Sequence, residues 1–436
     1  MLFIIGMKIS KKTLLDGYVI LSLFLIPSSF LGLISFRFFY IPGLFDLRLL
    51  SWLLALPLLL IYGNKLKAIS TTSSGKILIL VVLFIIVRFA FSLIQGIPLR
   101  EAFTVFRMGF NTPISCIAYL CFFYSIDNYR IERIFKWGFA LFAVALFLYF
   151  INYLGFGLFD NIKERNEETH EGITIVRNLT GFPIYFPIFF TLGLFLALDR
   201  WKLRFLIISL VSLFIVYLSA TRNFIIVYSV ILTIILGFYF IKLKTGYFRR
   251  AIILFISIIL FLATAFVFKS DVYIFLEKKF ESTVNVDLKE DTGTYAYRKR
   301  LIETSFQENR LTQSVFLGKG YTREGKKGSY KFVLGGDTLV APVVFCEGVV
   351  GLFIRILPII YFLIFAFKRM RSTGHIQFLG ISIVALIVSS AVNYVQSTIF
   401  YNYIDFVLFF YIGQRYIVNS TSQLFVNDST LLQESR

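Results

Sequence analysis

Long apolar runs alternate with short polar connectors along almost the whole chain. A helix that crosses the hydrocarbon core needs roughly 20 consecutive apolar residues. Such runs lie near positions 14–36, 44–62, 77–95, 104–124, 137–157, 181–199, 203–219, 223–241, 251–268, 339–366, 377–395 and 400–417. The pattern predicts an all-α polytopic membrane protein with about twelve transmembrane helices. The first run is too long for the core of a signal peptide and lacks a small-residue cleavage site, so it is expected to remain as a span. The chain then divides into nine spans over 1–268, a long polar segment at 269–338, three spans over 339–417 and a polar tail at 418–436, expected to be disordered. No internal repeat is visible.

Lys and Arg mark alternate connectors. They are Lys8, Lys11 and Lys12; Lys65, Lys67 and Lys76; Arg130, Arg133 and Lys136; Arg200, Lys202 and Arg204; Lys242, Lys244, Arg249 and Arg250; and Lys368, Arg369 and Arg371. Short basic loops stay on the cytoplasmic side. These connectors and both termini are therefore expected in the cytoplasm, and the protein in the cytoplasmic (inner) membrane. Two connectors on the other face are longer: 160–180, densely charged, and 269–338, long enough to fold outside the membrane. Long loops translocate largely regardless of charge, so the bases of 269–338 do not oppose this sidedness. Within it Tyr297, Leu301, Ile302 and Ser305 recur at helical spacing, which predicts a short amphipathic helix on the membrane surface.

Composition agrees. The 436 residues are 58% hydrophobic and 16% charged, with a mean hydropathy of +0.79. Soluble domains average roughly 45–50% apolar and about 25% charged, so a soluble fold is excluded. A net charge of +19 would suggest nucleic acid in a soluble protein. Here the bases sit between apolar runs, where orientation and anionic membrane lipid account for them, and no nucleic-acid partner is expected. Cys116, Cys121 and Cys346 all lie in apolar runs, and Cys116 and Cys121, five apart, face different sides of a helix. They form neither a disulfide framework nor a zinc spacing. With His170 and His375 as the only histidines, no metal site or other cofactor is expected.

Four groups of residues can carry chemistry. Ser219-Ala220-Thr221-Arg222-Asn223 is a tiny outer turn between two spans. Arg222 there is either a snorkelling topological anchor or an anion clamp, whose planar fork of donors suits phosphate oxygens. Arg177 and Asn178, just before Gly181-Phe182-Pro183, are either solvated loop residues or a second outer cation site; Glu164, Glu167, Glu168 and Glu171 beside them read as solvated charge. At the end of the long loop stand Leu317-Gly318-Lys319-Gly320-Tyr321 and Gly335-Gly336-Asp337-Thr338. Asp337 can cap the following helix or act as a general base on a sugar hydroxyl. Gly318 and Gly320 hint at a phosphate cradle without the strand and helix that would frame one. Finally, Arg88, Glu347 and Arg355 fall inside apolar spans, where each charge costs roughly 2.5–3.5 kcal/mol by insertion scales and so lines a cavity or is paired. Glu347 and Arg355, eight apart, are too distant for an i,i+4 pair, and each is expected to find a partner on another helix.

The order of these motifs resembles that of the O-antigen polymerase and O-antigen ligase superfamily, C-type membrane glycosyltransferases. The resemblance rests on Arg177 to Pro183, Ser219 to Asn223, Arg298 to Arg300, Leu317 to Gly320, and Gly336 to Gly351, which ends Cys346-Glu347-Gly348-Val349-Val350-Gly351. It covers roughly positions 160–360 by motif and the rest by hydropathy alone. It implies polymerisation of undecaprenyl-diphosphate-linked oligosaccharide units into a surface polysaccharide (O-antigen or other lipopolysaccharide chain, capsule or exopolysaccharide) at the outer face of the membrane. It also implies Arg222 and Asp337 as catalytic residues, Arg177, Arg298, Arg300 and Glu347 as substrate contacts, and a flippase and a chain-length regulator as partners. Ligases of the superfamily carry His-Asn before the Glu-Gly helix, where this chain has Gly336-Asp337, which favours a polymerase. The ligase remains the nearest alternative. A lipid-linked oligosaccharide flippase or other transporter, for which related halves and short outer loops are expected, is the alternative of a different class.

Overall fold

The computed structural model describes residues 11–25, 47–151, 166–170, 173–177, 190–191, 193–194, 197–198, 203–218, 222–241, 245–268, 270–282, 294–322 and 340–370. They are nearly all helical. Helix α1 (Lys11–Ile20) runs on into a π-helical turn (Leu21–Leu25), and α2 (Leu47–Tyr62) leads through a 3-10 turn (Gly63–Lys65) into α3 (Leu66–Thr71). Then follow α4 (Ser73–Ile94), α5 (Leu99–Phe123), α6 (Asn128–Ile151), α7 (Leu203–Leu218), α8 (Arg222–Ile241) and α9 (Thr245–Phe268). The segment expected to be a long outer loop contains α10 (Ser270–Ser282) and α11 (Thr294–Leu311), and α12 (Val340–Met370) succeeds it. The spans expected at 377–395 and 400–417, the tail and most of 181–199 lie outside the described residues.

One element departs from an all-α chain. In the charged connector, β1 (Asn166–His170) and β2 (Ile173–Arg177) pair antiparallel, with Asn166 opposite Arg177 and His170 opposite Ile173. Thr169, Ile173, Thr174, Ile175 and Val176 are β-branched, a type that suits a pleated strand. The run of glutamates around them conceals that signal. Helices α4, α5, α6 and α9 begin earlier than their apolar runs, because polar first turns are helical too. Thr72 caps α4 by accepting from Gly75 N at 3.0 Å, and Asp127 Oδ1 accepts from Arg130 N at 2.8 Å where α6 starts.

Burial runs opposite to that of a soluble protein. Along α4, Leu83, Val87, Phe91 and Ile94 are exposed, while Val81, Ile85, Arg88 and Ser92 are buried. An apolar outer face around a charged inner one suits a helix bathed in hydrocarbon. Among the described residues, four helices are long and apolar enough to cross a membrane: Leu53–Thr71, Gly75–Ile94, Tyr129–Ile151 and Val340–Pro358. The main core joins α1, α2 and the second half of α5 to α6, α7, α8 and α9, and it includes both Cys116 and Cys121. Within it Tyr228 of α8 stacks on Phe190 with ring centroids 4.2 Å apart, and its hydroxyl lies 2.9 Å from Ser212 Oγ of α7. At the end of α1 that bears the basic connector, buried Asp16 accepts from Arg130 Nη2 at 2.5 Å and from Arg133 Nη2, tying α1 to α6. Those two arginines thus hold helices together.

Candidate functional site

A second, smaller core gathers Val81 and Ile85 of α4, Ala102 of α5, Tyr321, and Phe345 and Cys346 of α12. Its centre is a break in α12. Gly348 has φ 69° and ψ −167°, a conformation that glycine alone adopts cheaply. The break takes the carbonyls of Phe345 and Cys346 and the amides of Val349 and Val350 out of the helix ladder. The turn after α11 fills the gap. Lys319 N donates to Phe345 O at 2.8 Å and Gly320 N to Cys346 O at 3.0 Å, while Val349 N donates to Val315 O at 3.0 Å and Val350 N to Phe316 O at 3.1 Å. The two chains approach so closely that a Cβ on Gly318 would lie 2.5 Å from the Cys346 carbonyl carbon, and one on Gly348 would run into the Phe316 carbonyl.

This geometry explains Leu317-Gly318-Lys319-Gly320 differently from a phosphate cradle. The amides of Gly318, Lys319 and Gly320 are committed to Ser314 O, Phe345 O and Cys346 O. A cradle needs such amides free for an anion, so the motif is a closure for the split helix.

Arg88 lies between the two halves of that closure. Its Nε donates to Cys346 O at 3.1 Å and its Nη2 to Gly318 O at 2.7 Å. A cation there also faces the carbonyl end of the first half-helix, where the backbone dipole favours positive charge. One turn further along α4, Ser92 Oγ donates to Arg88 O at 2.7 Å and accepts from Tyr321 N at 2.9 Å.

The expectation that Glu347 and Arg355 each find a partner on another helix holds for Arg355, which reaches Gly109 O of α5, but the two also pair with each other, which their spacing had excluded. Arg355 Nη2 approaches Glu347 Oε1 to 2.5 Å and Arg355 Nε donates to Oε2 at 3.0 Å, a two-pronged ion pair. In an unbroken helix eight residues are about 12 Å of rise. The break at Gly348 turns Glu347 out of its helical position so that the long arginine reaches it. Tyr321 OH also donates to Glu347 Oε1 at 2.8 Å, and Arg355 Nη1 donates to Gly109 O at 3.0 Å. Gly109 leaves room for this contact, since a Cβ there would strike the guanidinium.

The amphipathic helix expected around Tyr297–Ser305 is present as α11, and its buried face rests on the first half of α12. That face carries Leu301, Ser305, Glu308 and Asn309. Asn309 Nδ2 donates to Val344 O at 2.5 Å, and Lys319 Nζ sits 2.6 Å from Glu308 Oε2. Sequence reasoning passed over Glu308 and Asn309, and included Tyr321 only as the last residue of the glycine-rich turn. The available signal was polar residues standing at the inward positions of an otherwise apolar stripe.

The candidate residues fall into two neighbourhoods. Arg298 is half-buried and Arg300 exposed on the first turns of α11, and Glu347 is buried in the break. Arg177 ends β2 and Arg222 begins α8. Helix α10 packs against the hairpin and buries Val272, Phe275 and Leu276 against Tyr217 and Leu218 of α7, with Ile225 of α8 alongside, so the Arg177 strand and the Arg222 helix start both adjoin it. Asp337 lies outside the described residues. Among the described residues no group of three or more His, Cys, Asp or Glu side chains is placed to hold a metal ion.

Fold and site together define a membrane-embedded, nearly all-helical protein in which a split helix is closed by the turn that follows α11. The chain matches no family model, no curated protein and no solved structure.

Proposed function

We propose that this protein is a polysaccharide polymerase of the cytoplasmic membrane, with about twelve spans and both termini in the cytoplasm. It acts on undecaprenyl-diphosphate-linked oligosaccharide units. The observation that carries the reading is the interlocking of motifs that are separate in sequence. Arg298 to Arg300, Leu317 to Gly320 and Cys346 to Gly351 belong to one hydrogen-bonded unit, α11 with its turn and α12. These are among the five motifs on which the resemblance to O-antigen polymerases rests.

In this reading an acceptor sugar hydroxyl attacks the anomeric carbon of the donor unit. A new glycosidic C–O bond forms, the bond to the diphosphate breaks, and undecaprenyl diphosphate leaves with the electron pair. The hydroxyl proton passes to Asp337. Arg222, Arg177, Arg298 and Arg300 neutralise the diphosphate, and alignment supplies most of the acceleration. Glu347, both of whose oxygens are engaged by Arg355 and Tyr321, serves by holding the split helix on which α11, the helix of Arg298 and Arg300, packs.

The test is reconstitution of the purified protein with purified lipid-linked repeat units. Polymer ladders are expected from the wild type. Asp337→Asn is expected to lose about 10²–10⁴ in rate, as removal of a general base does, and Arg222→Ala is expected to be inactive at normal protein level. Absence of any polymer, with units instead moved across the vesicle membrane, would reject the polymerase in favour of a flippase. Transfer of preformed polymer to a lipid acceptor would identify a ligase.

A further inference from the structure

The turn at 314–321 belongs to the segment expected outside the membrane, yet its partners lie within candidate spans. Depth is read from those partners. Val315 and Phe316 accept from Val349 and Val350, which stand nine and ten residues inside the Val340–Pro358 span. Val349 is also nine residues from Pro358 on the second half of the helix, which does not cross the break, so at 1.5 Å per residue it lies about 14 Å from that end, close to half of a hydrocarbon core roughly 30 Å thick. The ascending limb agrees. Lys319 pairs with Phe345 and Gly320 with Cys346, about 8–9 Å deep counted from Val340 at the same rise. Arg88, six residues from the end of the Gly75–Ile94 span and so about 9 Å deep, meets Cys346 at that level. Higher still, Tyr321 N meets Ser92, and Thr322 Oγ1 donates to Glu101 Oε1 in the first turn of α5 at 2.7 Å. Three helices thus give one depth scale.

Irregular backbone survives at membrane depth only if its polar groups are satisfied by protein. Here Ser314 N donates to Asn309 O, and Gly318, Lys319, Gly320 and Tyr321 donate to Ser314, Phe345, Cys346 and Ser92. The carbonyls of Ser314, Val315, Phe316, Gly318 and Gly320 all accept. The side chains at the bottom of the turn point the other way. Phe316 is 73% exposed and Leu317 51%, beside exposed Val349, Val350 and Phe353 of α12. In water this would be an apolar patch of the kind that marks a contact surface; here it continues the lipid-facing side of a span.

From this we infer that residues 314–321 form a re-entrant turn that dips about halfway into the bilayer, with Phe316 and Leu317 in contact with lipid acyl chains. The inference rests on the membrane-embedded fold and is independent of the chemistry proposed above. The test uses full-length Phe316→Cys and Leu317→Cys proteins in lipid nanodiscs, with Arg300→Cys as the exposed reference. The native Cys116, Cys121 and Cys346 are buried and serve as an unreactive background. A water-soluble maleimide is expected to label positions 316 and 317 more than about tenfold more slowly than position 300, because a thiol in apolar surroundings does not ionise. A fluorophore then attached at either position is expected to be quenched by lipids spin-labelled in mid-chain more strongly than by headgroup-labelled ones. Labelling as fast as at position 300 would overturn the inference. Slow labelling with no quenching by either lipid would overturn it too, since protein would then cover the turn. Should Phe316→Cys fail to accumulate, Leu317→Cys decides alone.

Discussion

Removing one member of the Glu347–Arg355 pair leaves the other charge buried, and the energetic consequence can be worked through. The side chains are 4% and 8% exposed, so solvent screens them little. Breaking a buried pair by deleting one partner costs about 3–5 kcal/mol, whereas replacing both with apolar residues is often near neutral. Glu347→Gln keeps an acceptor for Tyr321 but removes the negative charge facing the Arg355 guanidinium, which retains the neutral Gly109 carbonyl among its partners. Arg355→Met leaves the carboxylate buried, with the tyrosine hydroxyl still donating to it. Each single change is expected to shift the unfolding equilibrium by about 10²–10⁴, since 1.4 kcal/mol is tenfold. The double variant is expected to lose far less than the sum, with a coupling energy of about 3 kcal/mol. Unfolding of the purified protein in detergent, followed by steric trapping, measures all four corners of the cycle. Additive losses in the double variant would refute the pairing and with it the account of why α12 is broken at Gly348.

Three further outcomes follow from the same site. Gly318→Ala, which places a Cβ 2.5 Å from the Cys346 carbonyl carbon at a φ of 69°, is expected to detach the turn from α12 and speed proteolysis between α11 and α12, whereas Gly96→Ala, also at positive φ but in open space, is expected to leave that segment protected. Glu308→Lys and Lys319→Glu are each expected to lower the melting temperature, and the exchanged double variant to regain part of the loss. Asp16→Asn is expected to loosen α1 from α6 and destabilise more than Arg133→Ala does, because Asp16 serves two arginines and Arg133 is more than a third exposed.

The helical, membrane-embedded character is legible because apolar runs of spanning length report it directly, as at 77–95 against the observed Ser73–Ile94. Helix starts are less legible, since Asn128 to Lys136 is helical yet polar and hydropathy registers only the apolar remainder. The hairpin stayed hidden because the β-branched residues of Ile173–Val176 are read against a background of charge. The split helix was the larger omission. Cys346-Glu347-Gly348 lies in an apolar run, and one glycine in such a run is ordinarily tolerated. What marks Gly348 is the second chain pressed against it, a tertiary fact with no local signature. The same cause made the Glu347–Arg355 pair invisible, because helical spacing was applied across a position that is not helical. Arg88 was legible as a costly charge needing partners, but not that those partners would be main-chain carbonyls.

The bonds made by Arg88 also set a condition on biosynthesis. Its acceptors, Gly318 O and Cys346 O, lie 230 and 258 residues further along the chain. At a synthesis rate of about 5–20 residues per second, the guanidinium waits roughly 10–50 s for them. During that interval α4 resides in the bilayer with an uncompensated cation, tolerable because the rest of the span is so apolar. A nascent or truncated chain that ends before α12 therefore displays an exposed arginine within the membrane, and a completed one does not. Closure of the split helix is thus also the event that supplies the Arg88 guanidinium with its main-chain acceptors.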